Sequence, residues 1–475
     1  MMYNEQFRQQ FHFSPKENWM NDPNGLVYYK GEYHLFYQYH PHSSVWGPMH
    51  WGHAISKNLL HWEELPIALY PDELGQIFSG SAVIDKQNTS GLRTSDQEDV
   101  MVAIYTHHGE DNEKQSIAYS NDRGRTWTKY QGNPVIENPG IKDFRDPKVF
   151  WHERSQKWIM SLACGDQIQF YRSPNLIDWT FLSTFGSEYG AHGGVWECPD
   201  LIQLEVEREQ DKKWVLIVSM NPGGPNGGSA IQYFIGDFDG TTFTCDDEKD
   251  TVKWADFGRD FYAAVTWSNV SEPVWIGWMS NWQYANQVPT NPFRSVMSIP
   301  RKLKLRRQNN ELKLVQNSID LSSLYKETIR LNDNLALLPL EPKQIELKDL
   351  QVMVEAKVKE NNSSSLTLTL KGEREQLQVV FDRVKQEIRV DRTKSGNVSF
   401  SEHFASMDQM LLEELKDFKL IVDTSSIELF VNQGSSVMTE LFYPSEQTYT
   451  LEWAATDGEV HLSNVSIHHI ESTWK

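Results

Sequence analysis

Cysteine is scarce in this chain: Cys164, Cys198 and Cys245 are the only three among 475 residues, and no pair stands at CxxC spacing. So few thiols, so scattered, exclude a disulfide framework and a cysteine-built zinc site, and they fit a reducing compartment. Long apolar runs are missing too, so no transmembrane helix is expected. The N-terminus, Met1 to Phe13, is polar and charged and has no apolar signal core. A cytoplasmic protein is therefore expected, or a secreted one whose leader has been removed. Positive charge is in deficit: 45 Lys and Arg face 65 Asp and Glu, a formal net charge of −20. Phosphate backbones are bound by clustered cations, so nucleic acid is excluded as a partner, and no membrane partner is expected. Convincing amphipathic helices are absent from the first 300 residues or so.

Aromatic residues are abundant instead, at 12% of the chain. They suit strands and cores as well as the apolar faces of sugar rings. Short β-branched or aromatic runs follow one another, such as Leu26 to Tyr29, Tyr33 to Tyr39 and Val100 to Tyr105, with turn residues between them at Lys30-Gly31 and Asn121-Asp122. A weak repeat runs through this region. Ala54-Ile55-Ser56 leading to Trp62, Ala118-Tyr119-Ser120 leading to Trp127, and Tyr171-Arg172-Ser173 leading to Trp179 share a strand, a polar turn and an aromatic. A degenerate fourth copy leads to Phe243. Recurrence at about 50 to 65 residues marks a propeller or solenoid, and four copies over about 300 residues imply roughly five four-stranded blades.

The character changes after Pro300. Arg301 to Arg307 is basic, and the stretch to about Glu341 mixes charge with leucine in a way that allows some helix. Alternating strands follow, among them Val352 to Val358, Ser365 to Leu370, Ile427 to Val431 and Thr448 to Trp453, the pattern of a β-sandwich. The expected organisation is all-β: a five-bladed propeller over 1–305, a linker over 306–340 and a sandwich over 341–475. The sandwich is expected to brace the propeller, with a carbohydrate-binding role or a homodimer contact as the alternatives.

Three acidic clusters stand out: Trp19-Met20-Asn21-Asp22-Pro23-Asn24-Gly25, Phe144-Arg145-Asp146-Pro147 and Val195-Trp196-Glu197-Cys198-Pro199-Asp200. Each alone has an ordinary reading. Asp-Pro-Asn-Gly is turn chemistry, Arg145-Asp146 is a typical surface pair, and Glu197 fits an exposed rim. Each also stands at the start of a strand, and in a propeller the inner strands of successive blades converge on one central funnel. Carboxylates from three blades then meet around one ligand.

These motifs, together with Phe78-Ser79-Gly80-Ser81, Trp278 to Tyr284 and the Leu420 to Asn432 region, resemble those of glycoside hydrolase family 32 along nearly the whole chain. The family includes invertases, inulinases, levanases and sucrose-6-phosphate hydrolases. The resemblance implies a propeller followed by a sandwich, in agreement with the repeat. It also implies a retaining β-fructosidase with Asp22 as nucleophile, Glu197 as acid/base and Asp146 as transition-state stabiliser. Asn21, Gln38, Trp46, Phe78, Ser79 and Arg145 match residues lining the fructose pocket. Trp278 matches a pocket-wall tryptophan, with Trp282 as the other candidate. No cofactor and no metal are implied, and His50, His53, His107 and His108 are expected to be structural or hydrogen-bonding. The substrate is expected to be a fructan or sucrose, and Ile276 to Asn286 with Arg294 to Arg301 favours the levanase and exo-inulinase side. A sucrose-6-phosphate hydrolase, a fructosyltransferase and a non-catalytic fructan-binding lectin are the alternatives.

Overall fold

The computed structural model describes residues 3–110, 112–331, 334–446 and 448–474. Among these, strands dominate, and the helical content is one 3-10 turn, Ser322–Leu324. Burial within a sheet tracks composition: Val100–His108 is buried almost throughout, whereas the outermost Thr180–Phe185 buries only Phe185. Apolar strands thus sit near the centre, and the alternating or polar ones lie outside.

Five antiparallel sheets follow each other along residues 18–69, 76–129, 144–185, 195–245 and 262–318. Their first strands are Asn18–Tyr29, Gln76–Asp85, Phe144–His152, Val195–Glu205 and Tyr262–Thr266. Each first strand packs against the next, and the last packs against the first, which closes a ring. This is a propeller. The closure is made in backbone: Ser268 donates to Leu26 O and Tyr28 donates to Ser268 O, at 2.9 and 3.0 Å. Phe293–Arg294 also joins the first sheet, parallel to Asn18–Trp19.

The remaining strands form two packed sheets of seven and six strands around a second core that includes Val354, Leu368, Leu420 and Trp453. The all-β expectation, propeller then sandwich, holds. The linker expected over 306–340 does not. Arg301–Gln308 and Glu311–Ser318 form a hairpin that completes the fifth propeller sheet, and Tyr325–Arg330 and Leu335–Leu337 pair with Val460–Ile470 of the sandwich. The charge-and-leucine mixture that allowed a helix is the period-2 pattern of an amphipathic strand. Leu312 and Leu314 are buried while Glu311 is exposed and Lys313 only half-buried. Residues 319–324, with the 3-10 turn, are all that separates the two domains' strands.

The two domains share buried ionic contacts. Arg301, from the propeller's last sheet, bridges Asp256 at 2.9 Å and Glu428 of the sandwich at 2.6 Å. Arg392 of the sandwich reaches back to Asp260 at 2.7 Å. The N-terminal segment lies against the same seam: His12 is bonded to Asp423 at 2.8 Å and to Glu428 at 2.9 Å. All these side chains are buried, so each charge depends on its partner. Burial alone would lower the pKa of His12, but its hydrogen bonds to Asp423 and Glu428, and their charges, raise it to about 9. Protonated His12 therefore stabilises the fold in full below the ordinary value of 6.5, and that contribution is lost as pH rises through about 9. The thermal unfolding midpoint of the wild type should fall over this window more steeply than that of His12→Gln. Parallel curves would contradict the assignment.

Candidate active site

Every first strand of the propeller breaks register with its neighbour near its N-terminal end. The breaks span Met20 to Pro23, Ile77 to Gly80, Arg145 to Lys148, Glu197 to Asp200 and Tyr262 to Val265. Such a bulge adds a residue to one strand, twists it and re-aims its side chains. In the last three blades the extra residue is in the left-handed region: Asp146 at φ 66°, Cys198 at 47° and Ala263 at 52°. For residues other than glycine this costs on the order of 1–3 kcal/mol each, and it persists only where the surroundings impose it.

The surroundings here are the neighbouring blades. A bulge leaves backbone groups outside the ladder, and side chains of adjacent blades satisfy them. Gly80 N–H donates to Asn24 Oδ1 at 3.1 Å, and Val149 N–H to Ser81 Oγ at 3.0 Å. Asp146 N–H finds Thr106 Oγ1 at 3.0 Å, Cys198 N–H finds Asp146 Oδ2 at 3.0 Å, and Thr266 N–H finds Asp200 Oδ2 at 2.7 Å. The carboxyl of Asp146 is thus fixed by the bulge of the next blade.

Three carboxyls are brought together by this arrangement. Asp22 is held from both sides: Ser79 Oγ donates to Oδ2 at 2.6 Å and Asn21 Nδ2 donates to Oδ1 at 2.9 Å. Trp19 in turn orients Asn21 through Nε1, at 2.7 Å. The thiol of Cys198 lies 3.6 Å from both Asp22 Oδ2 and Asp146 Oδ2, so those oxygens are within twice that distance of each other. Glu197 is gripped at Oε1 by Arg145 Nη2, at 3.0 Å, and accepts a short hydrogen bond from the Tyr262 hydroxyl at Oε2. Asp22 and Glu197 keep some exposed surface, whereas Asp146 is 5% exposed. Two of the three acids thus reach solvent, and the third lies buried beside them.

Comparison with known proteins gives the arrangement its context. The model of the glycosyl hydrolases family 32 N-terminal domain matches residues 12–318, and that of the family's C-terminal domain matches residues 304–469. A levanase of Bacillus subtilis (strain 168) is 49% identical over 485 residues, covering 99% of this chain and 72% of the relative. The crystal structure of an exo-inulinase from Aspergillus awamori superposes with a TM-score of 0.92 at 40% identity, covering 100% of both chains. That of a β-fructofuranosidase from Schwanniomyces occidentalis, complexed with fructosyl-erythritol, gives 0.91 at 36% identity and 99% coverage of each chain. The chain belongs to glycoside hydrolase family 32.

In this family-32 enzyme one guanidinium serves several acids. Arg145 bridges Glu113 at 3.2 Å, Asp143 at 2.7 Å and Glu197 at 3.0 Å. Burial raises the pKa of Asp22, the charge of Glu197 raises it further, and the donors Ser79, Asn21 and Cys198 pull it partly back. Burial also raises Asp146, against the pull of Arg145, and the charges of Glu197 and Asp22 add to the rise. Crowded acids of this kind hold a proton to higher pH than isolated ones.

Of the expected pocket residues, Asn21, Ser79 and Arg145 bond directly to Asp22 or Glu197. Gln38 is buried and donates to Ile77 O at 3.0 Å, so it supports the second bulge. Phe78 is half-buried, with Trp46 edge-on to it at 6.2 Å. Trp46 is 41% exposed, and its N–H is held by Asn286 at 2.8 Å. Trp278 departs from expectation. It is fully buried behind Trp19, Trp282 and Tyr262 and offers a ligand no surface, whereas Trp282 is only half-buried. The cause is strand register, since Trp278 pairs with Tyr262 and Met297 inside the fifth sheet. His53 and His107 are buried and bonded to His34 and Ser116, and His50 to Pro48 O. Tyr262, Glu113, Thr106 and the Cys198 thiol were not singled out from sequence. The only signal for Tyr262 is its place in Phe261-Tyr262-Ala263-Ala264, a fifth bulge without an acid.

A reaction that uses the Asp22 carboxylate should show an acid limb of kcat/KM above the ordinary aspartate value of 3.8. Ser79→Ala removes a donor to the charged form, so the limb should move to higher pH by about one unit. An unmoved limb, or one displaced to lower pH, would contradict the role given to Ser79.

Proposed function

We propose that the protein is a retaining β-fructosidase that releases terminal fructose from levan, inulin, their oligomers or sucrose through a fructosyl-Asp22 intermediate. The observation that carries this is that two acids from different blades, Asp22 and Glu197, keep exposed surface beside a third, buried carboxyl, Asp146. Asp22 receives donors on both oxygens, which favours the carboxylate a nucleophile needs. Glu197 lies on a different blade, clamped between Arg145 and Tyr262, where it addresses the sugar from the other side. In the first step an Asp22 oxygen bonds to the anomeric carbon, the glycosidic C–O bond breaks, and the leaving oxygen takes the Glu197 proton. In the second, Glu197 takes a proton from water, the water oxygen bonds to the anomeric carbon, and the bond to Asp22 breaks. Asp146 uses Oδ2 on Cys198 and keeps its second oxygen for sugar hydroxyls, contacts that strengthen as positive charge grows on the ring.

The similarity to a levanase, an exo-inulinase and a β-fructofuranosidase supports fructosides as the substrate class. A panel of sucrose, sucrose-6-phosphate, levan, inulin and short oligomers, with products resolved by size, ranks them and separates hydrolysis from transfer. Asp22→Ala and Glu197→Ala should each lower kcat on the best substrate by roughly 10³-fold or more. Time-resolved NMR should show the β anomer of fructose as the first product. The α anomer appearing first means inversion, and wild-type protein without turnover on any member of the panel leaves only a sugar-binding role.

A further inference from the structure

One side chain joins the two halves of the pocket without being an acid. His108 stands at the end of Val100–His108, the second strand of the second blade. Its imidazole stacks on Phe78 with centroids 4.1 Å apart and planes within 2°. Phe78 precedes Ser79, which holds Asp22, so this stack fixes the wall beside the nucleophile. The other contact of His108 leads away from Asp22. Nδ1 lies 3.2 Å from Glu113 Oε1, and a carboxylate can only accept there, so the ring donates. Glu113 is bound in turn by Arg145 Nη1, and Arg145 binds Glu197. Four residues thus connect the wall beside Asp22 with the acid/base on the opposite blade. Glu113 and Arg145 are 9% and 12% exposed in their side chains, but His108 is 36% exposed. It forms the rim where the chain of contacts meets solvent.

We propose that His108 is a positioning residue for the acid/base side of the site. It acts through Glu113 and Arg145 on Glu197, while its ring holds Phe78 against the sugar pocket. This rests on the reading of Glu197 as the acid that protonates the leaving oxygen. The two roles use different parts of the imidazole, so they can be separated by substitution. His108→Phe keeps a ring to stack and loses the donor to Glu113. His108→Gln keeps a donor and loses the ring.

The experiment compares kcat/KM for two fructosyl donors in each variant. The glucose of sucrose leaves as an alkoxide unless Glu197 protonates it, whereas the fluoride ion of β-D-fructofuranosyl fluoride departs with little proton assistance. With His108→Phe, kcat/KM for sucrose should fall by about tenfold, a fraction of what a general acid contributes, while that for the fluoride stays nearly unchanged. With His108→Gln, kcat on sucrose should recover and KM should rise for both donors, because Phe78 has lost its partner. The ratio between donors does not depend on how much of a variant is folded. Equal losses on both donors in His108→Phe would mean a purely structural role, and no loss on either would mean no role. Each result overturns the proposal. Wild-type protein that cleaves neither donor would sink the fructosidase reading, and this proposal with it. Wild-type turnover with an unchanged ratio in the variant would sink the role of His108 alone.

Discussion

The backbone N–H groups left unpaired by the inner-strand bulges are the groups on which the rest of the site depends. A sheet edge or bulge in water would satisfy them with solvent, but here they face the buried centre of a ring. Each finds its partner on an adjacent blade: Asn24 for Gly80, Ser81 for Val149, Thr106 for Asp146, Asp146 for Cys198 and Asp200 for Thr266. The same bonds that join the blades also fix the left-handed residues and hence the direction of the acids. Asp146 is at once a structural cap and a floor of the pocket, which is why its carboxyl tolerates burial at 5% exposure. Ring closure, bulge and catalytic geometry are one arrangement rather than three.

Electrostatics follow from that crowding. The geometry forces Asp22, Asp146 and Glu197 close together, and among the described residues the one cation bonded to any of them is Arg145, which bridges Glu197 and is shared with Glu113 and Asp143. Burial and mutual repulsion raise Asp22 and Asp146; the donors Ser79, Asn21 and Cys198 oppose the rise at Asp22, and the charge of Arg145 opposes it at Asp146. Acid/base chemistry near neutral pH requires a proton to be kept somewhere among the acids, and the lack of countercharge provides for that. Farther out, the seam between propeller and sandwich uses the opposite device. Arg301, Arg392 and protonated His12 are each matched to buried acids, so these pairs fix the position of the two domains.

Much of this was legible in the sequence, for identifiable reasons. The repeat ending in Trp62, Trp127, Trp179 and Phe243 reports the blades, because each blade must solve the same packing problem. The three acidic motifs lie where strands begin, and that is where the bulges are. Less legible was anything that depends on a neighbour far along the chain. Tyr262 and Glu113 meet Glu197 and Arg145 only after the ring has closed, and nothing local to either marks it. Trp278 and Trp282 are indistinguishable by composition, and strand register buries one and spares the other. The stretch over 306–340 reads as a linker because charge masks its period of two. The buried Leu312 and Leu314 reveal its first part as the edge of the fifth sheet.

At the centre stands the claim that Asp22 and Glu197 address one sugar from opposite sides. Incubating Glu197→Ala with β-D-fructofuranosyl fluoride, followed by intact-mass and peptide-mass analysis, tests it most directly. The fluoride can load the nucleophile without an acid, but release by water is then slowed for lack of a base. The protein should gain the mass of one fructosyl group, carried on the peptide that contains Asp22. An adduct on any other residue, or fluoride turnover by this variant that persists when Asp22 is also replaced, would contradict the arrangement.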